Sequence, residues 1–417
     1  MVRQPRVEHP PFRLSMLVRD RRYRSLTIQV VVFLLVMLGA AWLIDNTVRN
    51  LAIMGKTFSF DFLFRRAGYD IPQQLIPYNS DDTHLRAAVV GLLNTLWVSL
   101  WGCLAATLVG VLVGILRLSP NWLVARLMTV YVETFRNIPL LLWILVILAI
   151  FTEVMPPPNA YRGENPKAGM IFFDLIAPTN RYTAIPSIGM TNPPGVLALG
   201  RESISLAFIA YAVVLVLAIV AHRLLAGWAR RVQDRSGHRP TIWWAVLAIY
   251  VVPWLLLGWH FGLHLVPPVL RGFNFAEGVN LDNAFVVLWL ALTLYTGAFI
   301  AENVRGGILA VSRGQTEAAY ALGLRPGRTM RLVILPQALR VIVPPLISQY
   351  LNLTKNSSLA IAVGYMDLRG TLGGTTLNQT GREMECMVLM MGVYLVLSLL
   401  ISGAMNVFNS RVRLKER

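Results

Sequence analysis

The sequence contains little charge and almost no cysteine. Charged residues occupy 14% of its 417 positions, whereas hydrophobic residues occupy 55%. A chain of this composition lacks the polar side chains that cover a water-soluble globule, so the composition indicates a membrane protein. Cys103 and Cys386 are its two cysteines, and each lies in or beside an apolar run. This excludes a disulfide framework and a CxxC metal site.

Sequence motifs of catalysis are also absent. There is no HExxH, GxSxG or GxGxxG, and the six histidines are scattered. Residues 50–57 come within one glycine of a phosphate-binding loop, but they lack the tight turn and the strand and helix that such a loop needs. We interpret that match as chance. The sequence therefore predicts a protein that is not an enzyme and binds no cofactor or metal itself.

Long apolar stretches without charged residues recur along the chain. About 20 apolar residues in a helix cross the ~30 Å hydrocarbon layer of a bilayer. We therefore predict eight membrane helices, at 26–44, 87–116, 137–152, 203–221, 240–259, 283–301, 341–354 and 386–409. The two short ones, at 137–152 and 341–354, need polar flanks to complete a span.

The basic residues indicate the orientation of the chain. The net charge is +17, but lysine and arginine lie between the apolar runs rather than in one patch with aromatics, which argues against nucleic acid as a partner. With a cytoplasmic N-terminus, 25 of the 38 lysines and arginines lie on the inner side. The positive-inside rule then predicts that both termini are cytoplasmic. No small-residue cleavage site follows the first apolar run, so we expect a retained anchor rather than a signal peptide.

Two further patterns concern packing and the outer surface. Gly102, Ala106, Gly110 and Gly114 recur every fourth residue in the second predicted helix, which lets another backbone approach closely. We expect this seam to pack within the subunit rather than to form a dimer contact or a substrate path. The loop 153–202 is rich in Pro, Gly and Asn and predicts an irregular external cap.

The cytoplasmic loop 302–340 contains several turn signals. Ser312 and Gln315 have the spacing of a capping box, and Gly323 suits the end of the short helix that would follow. Pro326 suits the first turn of a second helix, which Pro336 is expected to interrupt. These signals predict a short helix, a tight turn and a second helix lying at the cytoplasmic surface.

The same loop carries a spaced motif. Glu317, Ala318 and Ala319 precede Gly323, and Val333, Leu335 and Pro336 follow it at fixed distance. This pattern resembles the EAA loop of type I ABC importer permeases, with Val333 in place of the usual Ile. Two alanines and a glycine offer a flat surface for close approach, and Glu317 can take a basic partner. The resemblance implies seven ATPase-coupling residues, which are Glu317, Ala318, Ala319, Gly323, Val333, Leu335 and Pro336.

Five further segments resemble the polar amino-acid permeases of the histidine, glutamine and arginine importers. These segments are 91–96, 117–119, 135–140, 302–308 and 353–359. The likeness covers about 88–150 and 283–409. The first helix, the long outer loop and the helix pair 203–259 are extra segments compared with the compact five-helix members of this family. With these segments the chain is similar to the enlarged first permease of general L-amino-acid importers.

The resemblance implies an all-α integral membrane protein with the transmembrane fold of type I ABC importers. The expected organisation is a basic cytoplasmic tail at 1–25, an added helix and periplasmic segment at 26–86, the importer domain at 87–409 and a short cytoplasmic tail at 410–417. An outer loop and helix pair at 153–260 are inserted in the importer domain. The implied function is ATP-driven uptake of polar L-amino acids, such as glutamate, glutamine, aspartate and asparagine or a broad range, across the inner membrane by alternating access.

The chain has no ATP site, so its energy source must be a partner. The resemblance implies an ABC ATPase dimer that binds ATP and Mg, a second permease that is different or identical, a periplasmic amino-acid-binding protein and the lipid bilayer. Three other classes compete with this interpretation. A secondary transporter or channel needs ionisable groups or broken helices at membrane depth, an intramembrane enzyme needs paired catalytic groups, and a structural anchor for an ATPase is excluded least well.

Polar side chains near one predicted helix end are candidates for the substrate path. They are Asn352, Lys355, Asn356, Ser357 and Ser358. Polar groups at membrane depth are costly unless they face a partner or a cavity, and an ammonium with hydroxyls can meet a substrate carboxylate. The alternative is a helix end whose lysine extends to the interface. Both interpretations remain open at this point.

Overall fold

A computed structural model describes residues 21–53, 55, 57–163, 166–200, 202–238 and 240–412. The chain forms two compact units, Met1–Phe62 and Leu63–Arg417. Most of the predicted N-terminal tail (1–20) and the last residues of the predicted C-terminal tail (413–417) lie outside the described residues. The first unit contains helix α1, and the second contains all other helices and strands named below.

Helices account for most of the described chain. They are α1 Arg21–Ile53, α2 His84–Leu116, α3 Trp122–Asn137, α4 Leu140–Ala149, α5 Leu206–Ser236, α6 Trp243–His260, α7 Asn283–Leu309, α8 Arg313–Ala321, α9 Pro326–Thr329, α10 Leu335–Asn356, α11 Leu368–Gly370, α12 Leu377–Thr380 and α13 Glu383–Val412. Wider π turns occur at Ile150–Val154, Met330–Ile334 and Thr371–Thr376, and 3-10 turns at Asp61–Phe64, Pro158–Tyr161 and Ser357–Val363.

Seven described helical segments are long and apolar enough to cross a membrane. They are Tyr23–Ile53, His84–Leu116, Leu206–Ser236, Trp243–His260, Asn283–Leu309, Pro326–Val363 and Glu383–Val407. A bent pair, Trp122–Asn137 with Leu140–Val154, makes eight if it counts as one span. This agrees with the predicted number.

The bent pair corrects one prediction. The predicted spans 87–116 and 137–152 leave 117–136 as a connecting loop, whereas α3 occupies most of these residues, and α4 begins at Leu140 rather than at Asn137. The two helices meet at 107°. Pro139 explains the break, because the residue before a proline avoids the helical region, and Ile138 is extended with φ −106° and ψ 133°.

Helices α2 and α7 pack in direct backbone contact. A Cβ atom on Gly110 would lie 2.6 Å from Cβ of Ile300, and one on Gly114 would lie 2.8 Å from Cβ of Val304. Both distances are too short for a side chain. Ala106 is also fully buried, so the predicted seam of small residues packs within the subunit, as expected.

Helix α10 joins this pair to complete the core of the second unit. Gly102 of α2 lies against Leu353, and Gly307 of α7 lies against Ile342. Most of the fully buried apolar side chains of this core come from α2, α4, α7 and α10, and among them are Val98, Ile144, Leu288, Leu292, Ile300 and Leu353. The core therefore consists of the segments that resemble importer permeases.

The helix after the cytoplasmic loop differs from the prediction. Pro336 does not interrupt it, because the chain continues as one helical segment of 38 residues, Pro326–Val363. Proline has no N–H, and its ring clashes with the carbonyl four residues earlier. The π turn Met330–Ile334 lies directly before Pro336, and such a wide turn accommodates a proline without ending the helix. The second helix is thus the start of a span rather than a separate surface helix.

The outer loop is more regular than predicted. It contains strands β1 Ala177–Pro178, β2 Tyr182–Ile185, β3 Ser187–Met190, β4 Val196–Leu199 and β5 Glu202–Ser205, and the segment after α6 adds β6 Leu263–Val266, β7 Leu270–Arg271, β8 Asn274–Phe275 and β9 Val279–Asp282. The antiparallel sheets are β1-β2-β9, β3-β6, β4-β5 and β7-β8. Because β2 and β3 pair with strands beyond α6, the pairing could not be read from the loop alone.

Helices α5 and α6 pack against each other. The rings of Tyr211 and Trp254 lie 5.0 Å apart, and Nδ1 of His222 lies 3.2 Å from the Tyr250 hydroxyl. No described residue of α6 is buried. An apolar surface of this extent belongs in lipid or against another subunit.

We expect Gly110→Val to destabilise the second unit. The new side chain would force α2 away from Ile300, and overpacking of this kind costs about 1–3 kcal/mol. Thermal unfolding of the purified protein in detergent measures the effect. Gly392→Val in α13 is the matched control, since a Cβ at Gly392 meets no atom within 4 Å. Equal melting temperatures for the two variants would contradict the packing described for α2 and α7.

Candidate functional site

The cytoplasmic loop contains α8, whose two ends are formed differently from each other. Ser312 occupies the N-cap position, but its side chain makes no capping hydrogen bond, so the predicted capping box is not formed. The Gln315 side chain instead accepts a hydrogen bond of 3.3 Å from Nε2 of Gln337 in α10. This contact ties α8 to the helix that continues into the membrane.

The C-terminal end of α8 is a glycine turn, as predicted. Gly323 has φ +75°, and its N–H donates to the Tyr320 carbonyl at 2.9 Å. The Leu324 N–H donates to the Ala319 carbonyl at 3.1 Å. This pair of hydrogen bonds is a Schellman motif, which requires a left-handed residue at the position of Gly323.

The predicted coupling residues divide by exposure. Glu317, Ala318 and Gly323 are exposed, and they share the loop surface with Tyr320 and Leu322, which are 48% and 82% exposed. An exposed leucine and tyrosine beside one carboxylate form an apolar surface with a polar edge, which is typical of a contact with a partner protein. Contact with a partner remains a prediction for these residues.

The remaining coupling residues mostly support the loop from inside. Ala319 is 4% exposed, and Val333 and Pro336 are partly buried. Leu335 is 42% exposed and stands where the π turn passes into α10. The motif therefore contains two kinds of residue. Some form the exposed surface of α8, and the others pack α8 against the turn that follows it.

The five substrate-path candidates lie at the end of α10 and the start of the 3-10 turn that follows. Ser357 is buried and donates to the Thr354 carbonyl at 2.8 Å, and Ser358 donates to the Lys355 carbonyl at 2.7 Å. Both hydroxyls are thus bonded within the helix. Asn356 is half-buried, whereas Asn352 and Lys355 are exposed. Lys355 has no carboxylate within ion-pair distance among the described residues.

A polar cluster around Asn94 joins α2 to the segment after the 3-10 turn. Nδ2 of Asn94 donates to the Met366 carbonyl at 2.9 Å, and the Leu368 N–H donates to Oγ1 of Thr95 at 3.0 Å. The Tyr365 hydroxyl donates to the Asn94 carbonyl at 3.1 Å. Gly91 lies directly against Thr371 and leaves no room for a side chain. The segment 91–96 therefore holds the backbone of 365–371 in place.

Asp367 is the ionisable member of this cluster. Its side chain is fully buried, accepts a hydrogen bond of 2.8 Å from the Gly370 N–H, and accepts one of 3.3 Å from the Tyr394 hydroxyl. Burial disfavours the charged carboxylate and raises the pKa of Asp367 to about 7. No local pattern marks this residue, because its side-chain partner Tyr394 in α13 is distant in the chain.

A second cluster surrounds Glu302 at the other end of α2. Arg305 lies 2.8 Å and Arg136 lies 3.7 Å from its carboxylate, and Arg117 also pairs with it. The Arg117 side chain is only 7% exposed. Arg117, Arg136 and Glu302 belong to three different segments that resemble the polar amino-acid permeases, which are 117–119, 135–140 and 302–308. The Arg136 guanidinium also lies 5.4 Å from the Phe299 ring centre.

Comparison with known proteins gives consistent matches. The family described as binding-protein-dependent transport system inner membrane component matches residues 216–414. The glutamate/glutamine/aspartate/asparagine transport system permease protein BztB of Rhodobacter capsulatus is 58% identical over 97% of both chains. The general L-amino acid transport system permease protein AapQ of Rhizobium johnstonii is 44% identical, covering 95% of this chain and 94% of that protein. BztC of Rhodobacter capsulatus, named as a permease protein of the same system as BztB, is 44% identical over 24% of this chain and 23% of its own.

We expect the stability of the protein to fall as pH rises from about 4 to about 7 because of Asp367. The folded state holds the carboxyl proton up to a pKa of about 7, whereas an unfolded aspartate releases it near 3.9. The folded state therefore binds more protons in this window, and its stability decreases as pH rises. Asp367→Asn keeps an acceptor for the Gly370 N–H and should flatten this profile.

Thermal unfolding of wild type and Asp367→Asn at several pH values checks this prediction. The variant should melt higher than wild type at pH 8 and at a similar temperature at pH 4. Asp282→Asn, at an aspartate whose side chain caps α7, is the control for loss of a carboxylate that only caps a helix. Parallel pH profiles for wild type and Asp367→Asn would show that this carboxyl titrates normally.

Proposed function

This chain belongs to the family of amino-acid ABC importer permeases, and we propose that it carries polar L-amino acids such as glutamate, glutamine, aspartate and asparagine inward across the membrane. It is a multi-pass protein of the inner membrane and a transporter subunit rather than an enzyme. The proposed substrates rest on the relatives, since BztB is named for those four amino acids. AapQ is named for general L-amino-acid transport, so a broad range is the alternative.

The observation that carries the proposed mechanism is the continuity of one helical segment. Pro326–Val363 runs without a break from the loop that includes α8 to the substrate-path candidates. A force on the loop is therefore transmitted along a stiff element into the membrane. We propose that the ATPase dimer binds α8 through Glu317, Ala318 and Leu322, and that closure of this dimer on ATP and Mg switches the path from inward-facing to outward-facing.

The proposed substrate contact is Lys355. Its ammonium is exposed and has no carboxylate partner among the described residues, whereas the hydroxyls of Ser357 and Ser358 are bonded to backbone carbonyls. The substrates share an α-carboxylate, which an ammonium binds well. Extension of the lysine to the membrane interface is the alternative. Loss of substrate-stimulated ATP hydrolysis in Lys355→Met, with basal hydrolysis intact, would favour the substrate contact.

The family works with an ATPase and a periplasmic binding protein. We propose in addition that the second permease is a different chain, because BztB and BztC are two permease proteins named for one system. The proposed orientation has both termini in the cytoplasm, with α8 on the same side. The proposed importer domain covers 87–409, and the cap and helix pair at 153–260 form an insertion on it.

The proposed coupling predicts that Glu317→Lys reduces ATP-driven uptake at least about tenfold, a factor equal to roughly 1.4 kcal/mol of coupling. The substitution reverses the single acidic charge between residues 312 and 340 and should also lower the amount of ATPase that co-purifies. Uptake of glutamate and glutamine into vesicles that contain both permeases, the ATPase and the binding protein measures it. Asp234→Lys reverses an exposed carboxylate of α5 and is the matched control.

Two results would contradict the proposal. Normal uptake by Glu317→Lys would remove this loop as the energy link. An ATPase complex that forms but never drives uptake of any amino acid would favour the structural anchor instead. Gly323→Asp should act in the same direction as Glu317→Lys, because a non-glycine residue is strained at φ +75°.

A further inference from the structure

Three arginines line a cleft on the cytoplasmic loop beside α8. Arg325 is the N-cap residue of α9, Arg328 lies in α9 and Arg331 lies in the π turn, and with Gly327 and Leu332 they border an open depression of about 660 Å³. All three arginines are exposed. Residues three apart share one face of a helix, so the three guanidinium groups belong to one surface, named here the Arg325 cleft.

The Arg325 cleft has no counter-charge in the described part of the chain. No carboxylate there lies within ion-pair distance of its three arginines, in contrast to Arg117, Arg136 and Arg305, which all pair with Glu302. Glu317 is the single acidic residue between 312 and 340, where five arginines occur. Like charges on one helix face repel one another. A partner with negative charge would therefore stabilise this surface.

The length of the helical segment separates the cleft from the lipid headgroups. Its 38 residues extend about 57 Å at 1.5 Å per residue, whereas a bilayer with headgroups is about 40–45 Å thick. The uncharged part starts at Val341, so Arg331 and Arg325 lie roughly 15–24 Å before it along the helix. The headgroup layer on one side is only about 5–8 Å deep. The cleft therefore reaches into water, where a protein partner can meet it.

We propose that the Arg325 cleft binds carboxylate side chains of the ATPase, next to the groove that receives α8. This inference rests on the proposed function and specifies the chemistry of the partner surface. Arginine pairs with carboxylates through two parallel hydrogen bonds. Leu322 and Leu332, which are 82% and 62% exposed, add an apolar contact. The partner surface is thus an apolar hollow with acidic residues along the rim that faces the Arg325 cleft.

The test is the affinity of the ATPase for the permease pair in nanodiscs of neutral lipid. Arg325→Gln, Arg328→Gln and Arg331→Gln together should weaken binding about tenfold at low salt, since exposed ion pairs contribute a few tenths of a kcal/mol each. Raising the salt from about 0.1 M to about 1 M shortens the Debye length from about 10 Å to about 3 Å. It should weaken wild-type binding and leave the variant nearly unchanged.

Two matched variants support the interpretation. The triple lysine variant at 325, 328 and 331 keeps the charge and should retain most of the affinity and its dependence on salt. A triple glutamine variant at Arg230, Arg231 and Arg235 removes three arginines from the end of α5, and it should bind the ATPase like wild type. Melting temperatures of all variants exclude loss of fold as the cause.

The outcomes separate this inference from the proposed function. If Glu317→Lys abolishes ATPase binding while the triple glutamine variant binds like wild type at every salt concentration, the Arg325 cleft is not a contact and the coupling loop stands. If the wild-type permease pair does not bind the ATPase, both proposals fail. If the variant differs from wild type only in anionic nanodiscs, by its melting temperature and not by its ATPase affinity, the cleft binds lipid and the inference is overturned.

Discussion

Helices α2 and α7 approach each other so closely because Gly110 and Gly114 carry no side chain where Ile300 and Val304 press against them. In a membrane, lipid tails are as apolar as the helices, so close packing and polar contacts hold a bundle together more than burial from water does. The contact fixes α2, and α2 in turn carries Asn94 in its first half and ends beside Arg117. Both polar clusters therefore depend on this seam.

In both clusters, buried polar or charged groups are satisfied by partners from distant parts of the chain, although the chemical groups differ. Around Asn94, side-chain amide and hydroxyl groups satisfy backbone groups of a segment that is not regular α-helix, so its buried backbone is not left without hydrogen bonds. Around Glu302, one carboxylate is shared by three arginines, which reduces the cost of placing charge at helix ends near the bilayer. The contacts come from family segments that lie far apart in the chain.

The sequence predicted those features that depend on neighbouring residues. Charge-free runs located most of the spans, the four-residue spacing located the glycine seam, and Gly323 located the end of α8. Features that depend on distant partners escaped prediction. Gln315 bonds to Gln337 rather than to the N-cap, β2 pairs with β9 across some hundred residues, and Asp367 is recognisable only once its contact with Tyr394 is known. The prediction that Pro336 ends the helix was wrong, because the π turn before it makes room for the proline ring.

The length of the helical segment Pro326–Val363 also determines how far its two ends move when the segment tilts. A rod of about 57 Å that tilts by about 10° around its far end moves its near end by about 10 Å, whereas points close to the pivot move only a little. Lys355 lies within eight residues of the far end, and Pro326 forms the near end. Under the proposed coupling, a large displacement of the near end by the ATPase would become a small displacement around Lys355. The π turn Met330–Ile334 lies near the end beside α8, so bending at this turn would reduce the displacement passed along the segment and leave the packing around Lys355 unchanged.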